Sequence, residues 1–288
     1  MTKPIFTGVC TALVTPFLEN RLNTPMLRQL IRRQELSGVD ALVICGTTGE
    51  SAALTDGEKL ELFRVSREAI PEGLPFIAGT GSNNTSHAIA LGQAAQELGA
   101  DALLVVSPYY NKATEDGLYR HYRCIAEAVS IPVILYNVPS RTGLDIPVSV
   151  YQKLAEIPNI VGVKEASSDI RKIAKIRQQC PRDFSVWCGN DDLAVPALSL
   201  GAAGLISVVS NVEPELTQAM VKAALDGDFD TASDLQCRLL PLMQALFREV
   251  NPVPVKEALK LIGLDCGSCR LPLGEAGPET KEALASLL

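Results

Sequence analysis

The stretch Ile160-Val161-Gly162-Val163-Lys164-Glu165 is a short apolar run that ends abruptly in a lysine. If this run is a buried strand, the amine of Lys164 lies at the rim of an apolar core, where a lysine can lose its proton and act as a nucleophile. Taken alone, the run favours an ordinary strand end, since lysine side chains reach water easily from such positions. The organisation of the rest of the chain decides between these two interpretations.

Seven other runs resemble this one, and successive runs start roughly 20 to 35 residues apart, which is the length of one strand–helix unit. The runs are continuously apolar rather than alternating, as expected of parallel strands covered on both faces. Helix signals lie between them, including a capping box that begins at Thr55 and a candidate N-cap at Ser86. The eight candidate strands are residues 9–14, 41–44, 76–78, 102–106, 133–136, 160–163, 185–187 and 205–208.

Eight such units predict an α/β protein, specifically a (β/α)8 TIM barrel. An open doubly wound sheet is the alternative, but it commonly has a glycine-rich turn after the first strand, whereas this chain continues into Thr15-Pro16-Phe17. After residue 208 the strand signals stop, and the rest is mostly helical apart from the break at Asn251-Pro252-Val253-Pro254. We therefore predict a catalytic barrel over residues 1–222 and a C-terminal helical extension over residues 223–288.

The composition is that of a globular protein, with 47% hydrophobic and 20% charged residues. A net charge of −7 argues against nucleic acid as a partner, because there is no basic face to bind phosphates. No signal peptide and no apolar run near 18 residues is visible, so we expect a cytoplasmic protein with no membrane partner.

Histidine and cysteine usage narrows the chemistry further. The only histidines are His87 and His121, which argues against a zinc-dependent aldolase, a metalloprotease and an enzyme with a Ser-His-Asp triad. Among eight cysteines, Cys266 and Cys269 have CxxC spacing, but no second pair and no strand–helix context supports a metal or redox role. We expect no cofactor, no metal ion and no disulfide framework.

Polar residues follow several of the candidate strands, and the active sites of barrels lie at the carboxyl ends of strands. The loop 46–51 after the second strand has two threonines and free backbone N–H groups, which suit either a carboxylate site or an ordinary tight turn. The other candidate residues at this rim are Tyr109, Tyr110, Tyr136, Arg141, Lys164, Gly189 and Ile206.

This combination of groups fits carbanion chemistry on a keto acid. A neutral Lys164 would condense with the keto group to an iminium, which withdraws electrons and permits loss of a proton or a carbon fragment. Thr47 and Thr48 would bind the carboxylate, and the phenol of Tyr136 would move protons. Arg141 would hold a second carboxylate through a bidentate pair.

With these residues in place, the chain closely resembles the dihydrodipicolinate synthase family, one of the pyruvate-dependent class I aldolases that include N-acetylneuraminate lyase. The lysine strand and the loop 46–51 are typical of the wider group. Three segments point to the synthases: residues 136–143 (Tyr-Asn-Val-Pro-Ser-Arg-Thr-Gly), residues 108–111 (Pro-Tyr-Tyr-Asn) and residues 251–256 (Asn-Pro-Val-Pro-Val-Lys).

The resemblance implies a metal-independent lyase that condenses pyruvate with L-aspartate 4-semialdehyde to 4-hydroxy-tetrahydrodipicolinate, the first committed step toward diaminopimelate and lysine. It also implies a homotetramer, built as a dimer of tight dimers. By the same resemblance Lys164 forms the Schiff base, and Thr48 and Arg141 bind the carboxylates of pyruvate and the semialdehyde. The remaining implied roles are a proton relay of Thr47, Tyr136 and Tyr110, with Tyr110 supplied by a neighbouring subunit, and a lysine environment that includes Gly189 and Ile206.

A possible effector site follows from the same resemblance, because Ser51, Ala52, Asn83 and Tyr109 match the pattern of members that bind lysine at the tight-dimer interface. The chain departs from that pattern elsewhere. Asp56 and Lys59 replace two histidines that are frequent in inhibited members, and His87 replaces an acidic residue. A cation at 59 and the missing carboxylate at 87 disfavour a cationic ligand, so we predict weak or absent inhibition by L-lysine.

Two alternatives stay open at this point. A sibling aldolase acting on a 2-keto-3-deoxy sugar acid or sialic acid would use the same lysine, but Arg141 favours an acceptor with a carboxylate over a polyol. A non-catalytic barrel that binds a small acid is the other alternative. The complete set of Lys164, Tyr136, Thr47 and Tyr110 argues against it.

Overall fold

A closed barrel of eight parallel strands forms the centre of the computed structural model, which describes residues 4–288. Each strand pairs with its neighbours in chain order, and the first strand closes the barrel against the eighth. The (β/α)8 prediction is therefore confirmed. The strands are β1 (Gly8–Ala12), β2 (Ala41–Ile44), β3 (Phe76–Gly79), β4 (Ala102–Val106), β5 (Val133–Asn137), β6 (Ile160–Glu165), β7 (Ser185–Cys188) and β8 (Gly204–Ser207).

Helices connect the strands and cover the outside of the barrel, as the strand spacing predicted. Those within and directly after the strand–helix units are α1 (Thr24–Leu36), α2 (Asp56–Ala69), α3 (Thr85–Glu97), α4 (Glu115–Glu127), α5 (Pro139–Thr142), α6 (Val148–Leu154), α7 (Ile170–Gln179), α8 (Ala194–Ser199) and α9 (Pro214–Leu225). The C-terminal helices are α10 (Phe229–Ala245), α11 (Val253–Leu261) and α12 (Pro278–Ala285).

Local signals determine where two of these helices begin. The capping box at the start of α2 is confirmed, since the Thr55 hydroxyl accepts from the Glu58 N–H at 3.3 Å and the Glu58 carboxylate accepts from the Thr55 N–H at 2.9 Å. The predicted N-cap at Ser86 is wrong, because the Asn84 side chain accepts the N–H groups of Ser86 and His87 instead. Asparagine is the stronger capping residue here because its oxygen reaches two free donors.

Two apolar layers account for the continuously apolar strands. One layer lies between the strands and the surrounding helices, and the other fills the barrel itself. Inside the barrel, Phe6 stacks on Trp187 with ring centroids 5.1 Å apart, and Phe6 precedes β1. The amino end of the barrel is thereby packed with aromatic side chains, which leaves the opposite end for polar groups.

The C-terminal helices pack against the barrel, with α10 lying along α9. The predicted boundary after residue 222 falls within α9, and the division into a barrel and an extension stays a prediction. A buried ion pair joins the extension to the loop after β2, with Lys256 Nζ 2.6 Å from Glu50 Oε1. Within residues 4–288, no helix has the length and apolar character needed to cross a bilayer.

Candidate active site

Lys164 and Tyr136 lie next to each other on neighbouring strands at the carboxyl end of the barrel. The register pairs Tyr136 of β5 with Lys164 of β6, and both side chains are buried, with 6% and 5% exposure. The Lys164 amine is 4.5 Å from the centroid of the Tyr136 ring. The interpretation of Lys164 as an ordinary strand-end lysine that reaches water is therefore wrong, because its amine packs on the ring of Tyr136 inside the protein.

Gly189 provides the space that the Lys164 side chain occupies. A Cβ at this position would lie 3.0 Å from Lys164 Cε and 2.7 Å from the Ala166 side chain. Ile206 is fully buried in the apolar layer inside the barrel, which also contains Tyr136. Gly162 makes room for the backbone of Ser185 and the ring of Trp187 rather than for the amine.

The loop after β2 presents free donors beside a buried hydroxyl. The turn is closed by hydrogen bonds from Gly49 N–H to Gly46 O and from Glu50 N–H to Thr47 O, each 3.0 Å long. Within residues 4–288, the N–H groups of Thr47 and Thr48 donate to no acceptor. Two adjacent free N–H groups form a site suited to a carboxylate. Thr48 is 2% exposed, which shields such an interaction from water.

Arg141 lies in the short helix α5, directly after β5, and its side chain is exposed. One guanidinium nitrogen, Nη2, donates to the backbone oxygen of Asn251 at 3.1 Å. The other donors of the guanidinium are available to a ligand. The position of Arg141 after the strand that carries Tyr136 places it at the same end of the barrel.

Tyr110 stands apart from this group on the surface. Its side chain is 93% exposed, and its φ of 70° lies in the left-handed region that a tyrosine seldom occupies. Tyr109 beside it is 38% exposed. The structure therefore brings Thr48, Tyr136, Arg141 and Lys164 to one end of the barrel, but it does not bury Tyr110 with them.

The candidate effector residues include a small charged cluster. His87 Nε2 lies 3.0 Å from both carboxylate oxygens of Asp56, and Lys59 Nζ lies 3.4 Å from Asp56 Oδ1. The hydrogen bond from His87 is the main cause that lowers the pKa of Asp56. The backbone oxygen of Asn83 accepts from Asn111 at 3.0 Å. Ser51 begins a single turn of 3-10 helix, Ser51–Ala53, which includes Ala52.

Two buried side chains near the site had no role in the sequence interpretation. Asn251 was quoted only as part of a motif, yet its carboxamide reaches Thr48. Asp191 lies in the loop just after β7. One of its oxygens accepts the N–H groups of Val208 and Val209 at 3.0 and 3.1 Å, and burial raises its pKa. In the sequence, the signal for Asp191 is its position as a polar residue just after an apolar strand.

Cys266 and Cys269 have no environment that would activate a thiol. Burial raises the pKa of both to about 12. Since the thiolate is the form that binds metals and attacks disulfides, both side chains are protonated near neutral pH.

A parallel barrel with a lysine buried at the carboxyl end of its sixth strand, beside a tyrosine, and with a loop of free backbone N–H groups at the same end, is typical of lyases that hold a keto acid as a Schiff base. The model of the dihydrodipicolinate synthetase family matches residues 5–288. The chain belongs to this family.

Individual relatives agree with the family assignment. The 4-hydroxy-tetrahydrodipicolinate synthase of Acetivibrio thermocellus is 48% identical over 288 residues, which covers 100% of this chain and 98% of the relative. A crystal structure of dihydrodipicolinate synthase from Thermotoga maritima has a TM-score of 0.97 at 40% identity, and covers 99% of this chain and 98% of that one. A structure described as the first monomeric dihydrodipicolinate synthase variant has a TM-score of 0.96 at 40% identity, with 98% and 96% covered.

Proposed function

We propose that the chain condenses pyruvate with L-aspartate 4-semialdehyde to 4-hydroxy-tetrahydrodipicolinate, the committed step toward diaminopimelate and lysine. The observation that carries this proposal is the buried Lys164 amine, 4.5 Å from the Tyr136 ring, at the end of the barrel where free backbone donors lie. Relatives that align along the full chain and bear the synthase name support it.

The first half of the proposed reaction forms an enamine. The neutral amine of Lys164 attacks the keto carbon of pyruvate, water leaves, and an iminium results. Loss of a methyl proton from the iminium gives the enamine. Thr48 and the adjacent N–H groups would hold the carboxylate of pyruvate, so that the keto carbon faces the amine.

The second half joins the two substrates. The enamine carbon attacks the aldehyde of the semialdehyde, whose oxygen takes up a proton and becomes the hydroxyl of the product. The amino group of the semialdehyde then attacks the iminium carbon, closes the ring and releases Lys164. Arg141 would hold the carboxylate of the semialdehyde during these steps.

The proton transfers are assigned to Thr47, Tyr136 and Tyr110 of a neighbouring subunit. The exposure of Tyr110, 93%, and its left-handed φ support this arrangement, because they present the side chain at the surface, where it can enter a site on another copy. A homotetramer built from tight dimers would supply that copy. Because one similar structure is described as a monomeric variant, the number of subunits of this protein in solution is a direct test of the proposed assembly.

Borohydride reduction in the presence of pyruvate tests the Schiff base, and a coupled assay with L-aspartate 4-semialdehyde tests the condensation. We expect an irreversible pyruvate adduct on Lys164 and turnover with the semialdehyde. Absence of an adduct would refute every lysine-dependent mechanism. An adduct with turnover of a 2-keto-3-deoxy sugar acid, and none with the semialdehyde, would identify a sibling aldolase instead.

A further inference from the structure

Asn251 contacts both of the residues assigned to substrate carboxylates. Its carboxamide Nδ2 donates to Thr48 Oγ1 at 3.0 Å, and its backbone oxygen accepts from Arg141 Nη2 at 3.1 Å. Asn251 is 4% exposed and lies two residues before the start of α11 in the C-terminal extension. One buried residue therefore links the two proposed carboxylate sites.

The direction of the first of these hydrogen bonds matters for pyruvate. A hydroxyl that accepts from a carboxamide N–H has its own hydrogen free. The Thr48 hydroxyl can therefore donate to an anionic carboxylate beside it, in addition to the two backbone N–H groups of the loop. An acceptor in place of the Asn251 Nδ2 would instead take the Thr48 hydrogen for itself.

The extension holds Asn251 firmly against this loop. Lys256, one turn and a half further along, forms the buried ion pair with Glu50 of the same loop. The other oxygen of Glu50 accepts from the Arg270 N–H at 2.9 Å. The loop is thus bound to the extension at Thr48 itself and, two residues later, at Glu50, which limits the positions that the Thr48 hydroxyl can adopt.

The carboxamide oxygen of Asn251 distinguishes this residue from an asparagine whose role is only structural. Its Oδ1 is buried and has no hydrogen-bond donor within residues 4–288. Asn159, by comparison, lies just before β6 at the amino end of the barrel, where its carboxamide donates to the backbone oxygens of Ala126 and Val129 at 2.8 and 3.2 Å.

We infer that the Asn251 side chain is a positioning group for pyruvate, because it directs the hydroxyl of Thr48 toward the carboxylate of pyruvate, while the backbone oxygen of the same residue holds Arg141. This inference rests on the proposed condensation. The C-terminal extension is then a part of the active site rather than an appendage of the barrel.

The decisive variant is Asn251→Asp, which keeps the shape but replaces the donor by an acceptor and adds a negative charge. Loss of a hydrogen bond to a charged group corresponds to about 10- to 100-fold in a binding constant. We expect the KM for pyruvate and the concentration of pyruvate needed for half-maximal borohydride trapping to rise by that factor. The KM for the semialdehyde should rise less, because Arg141 contacts only the backbone of Asn251.

A second variant and a control separate the effect of the lost donor from the effects of the added charge and of a general loss of stability. Asn251→Ala removes the donor without adding charge, so its effect on pyruvate binding should have the same sign and be several-fold smaller. Asn159→Asp introduces the same change at the other end of the barrel, and should leave both KM values within about twofold. If Asn251→Asp does not fold, Asn251→Ala alone decides the outcome.

The outcomes separate the two proposals. An unchanged pyruvate KM in a folded Asn251→Asp or Asn251→Ala protein overturns the role of Asn251 and leaves the condensation untouched. Equal effects of Asn159→Asp and Asn251→Asp on pyruvate would also overturn it, since a general loss of stability would then explain both. Failure of the unmodified protein to trap pyruvate would refute the condensation, and the inference about Asn251 with it.

Discussion

The carboxamide of Asn137 donates a hydrogen bond of 2.9 Å to Glu165, one position beyond Tyr136 and Lys164 on the same two strands. Successive residues of a strand face opposite sides, so Asn137 and Glu165 face the surrounding helices, whereas Tyr136 and Lys164 face the interior of the barrel. Asn137 and Glu165 are both buried. Glu165 also accepts from the buried Tyr151 hydroxyl at 3.1 Å. The ends of β5 and β6 are thereby held in register.

Replacing Glu165 by glutamine should therefore weaken both the fold and the reactivity of the lysine. The carboxylate accepts from several donors, and an amide places an N–H group where one of them needs an acceptor, at a cost of about 1–3 kcal/mol. We expect a lower melting temperature and slower borohydride trapping of pyruvate. Glu61→Gln, on the exposed face of α2, is the matched control and should change neither.

The variant Lys164→Arg should abolish the pyruvate adduct. A guanidinium remains protonated near neutral pH and cannot act as the amine nucleophile. Mass spectrometry after borohydride treatment should show no added mass on the variant, while Lys260→Arg on the exposed face of α11 should behave like the unmodified protein. Trapping at an unchanged level in Lys164→Arg would move the Schiff base to another lysine.

Arg141→Ala should impair the second substrate more than the first. Removal of a guanidinium–carboxylate contact is expected to raise the KM for L-aspartate 4-semialdehyde by about 10- to 100-fold. Pyruvate trapping should be affected far less, because the guanidinium contacts Asn251 only at its backbone oxygen. Arg120→Ala, at a surface position of α4, serves as the control. Equal damage to both steps would make Arg141 a structural residue.

L-Lysine should inhibit weakly or not at all. The Asp56 carboxylate is already engaged by His87 at 3.0 Å and Lys59 at 3.4 Å, so the cluster offers no free anion to an incoming ammonium group. An inhibition curve with both substrates at their KM values measures this. The variant His87→Glu, which adds a carboxylate, should increase sensitivity. Submillimolar inhibition of the unmodified protein would contradict the prediction.

Acid should weaken the fold in part through Glu58. The bidentate hydrogen bond from Arg270 lowers the pKa of this carboxyl from 4.5 to about 2. A lowered pKa means that the contribution to stability is present above pH 4.5 and is lost as the pH falls toward 2. The unfolding free energy of Glu58→Gln should fall less steeply over this window than that of Glu97→Gln, an exposed control. If the unfolding free energies of the two variants fall in parallel with pH, the Glu58–Arg270 pair does not contribute to the loss of stability in acid.

The barrel and the Lys164–Tyr136 pair could be predicted because both depend on local patterns. Apolar runs at regular spacing indicate parallel strands, and the carboxyl ends of such strands lie at one end of the barrel whatever the side-chain details. The two-residue shift of the N-cap from Ser86 to Asn84 at the start of α3 shows the limit of this reasoning. Asn84 and Ser86 both have side chains that can cap a helix, and only the geometry of the turn selects Asn84.

The contacts of Asn251 and the position of Gly162 could not be predicted in the same way. Gly162 faces the adjacent strand and Trp187 rather than the amine, which depends on how the strands twist past each other. Asn251 meets Thr48 only because the extension folds back over the barrel. No periodicity in the sequence reports such a contact, although the motif at residues 251–256 marks where it arises.

Thr48 and Asn251 are 203 positions apart in the chain. During synthesis the threonine loop leaves the ribosome first, and at about 5–20 residues per second roughly 10 to 40 s pass before the asparagine is added. All eight strands of the barrel are complete by residue 207, well before that moment. A chain translated only as far as Ser207 therefore has all eight strand segments and Lys164, but it lacks the side chain that donates to the Thr48 hydroxyl. The proposed pyruvate site is thus completed by a segment that is made after the barrel strands.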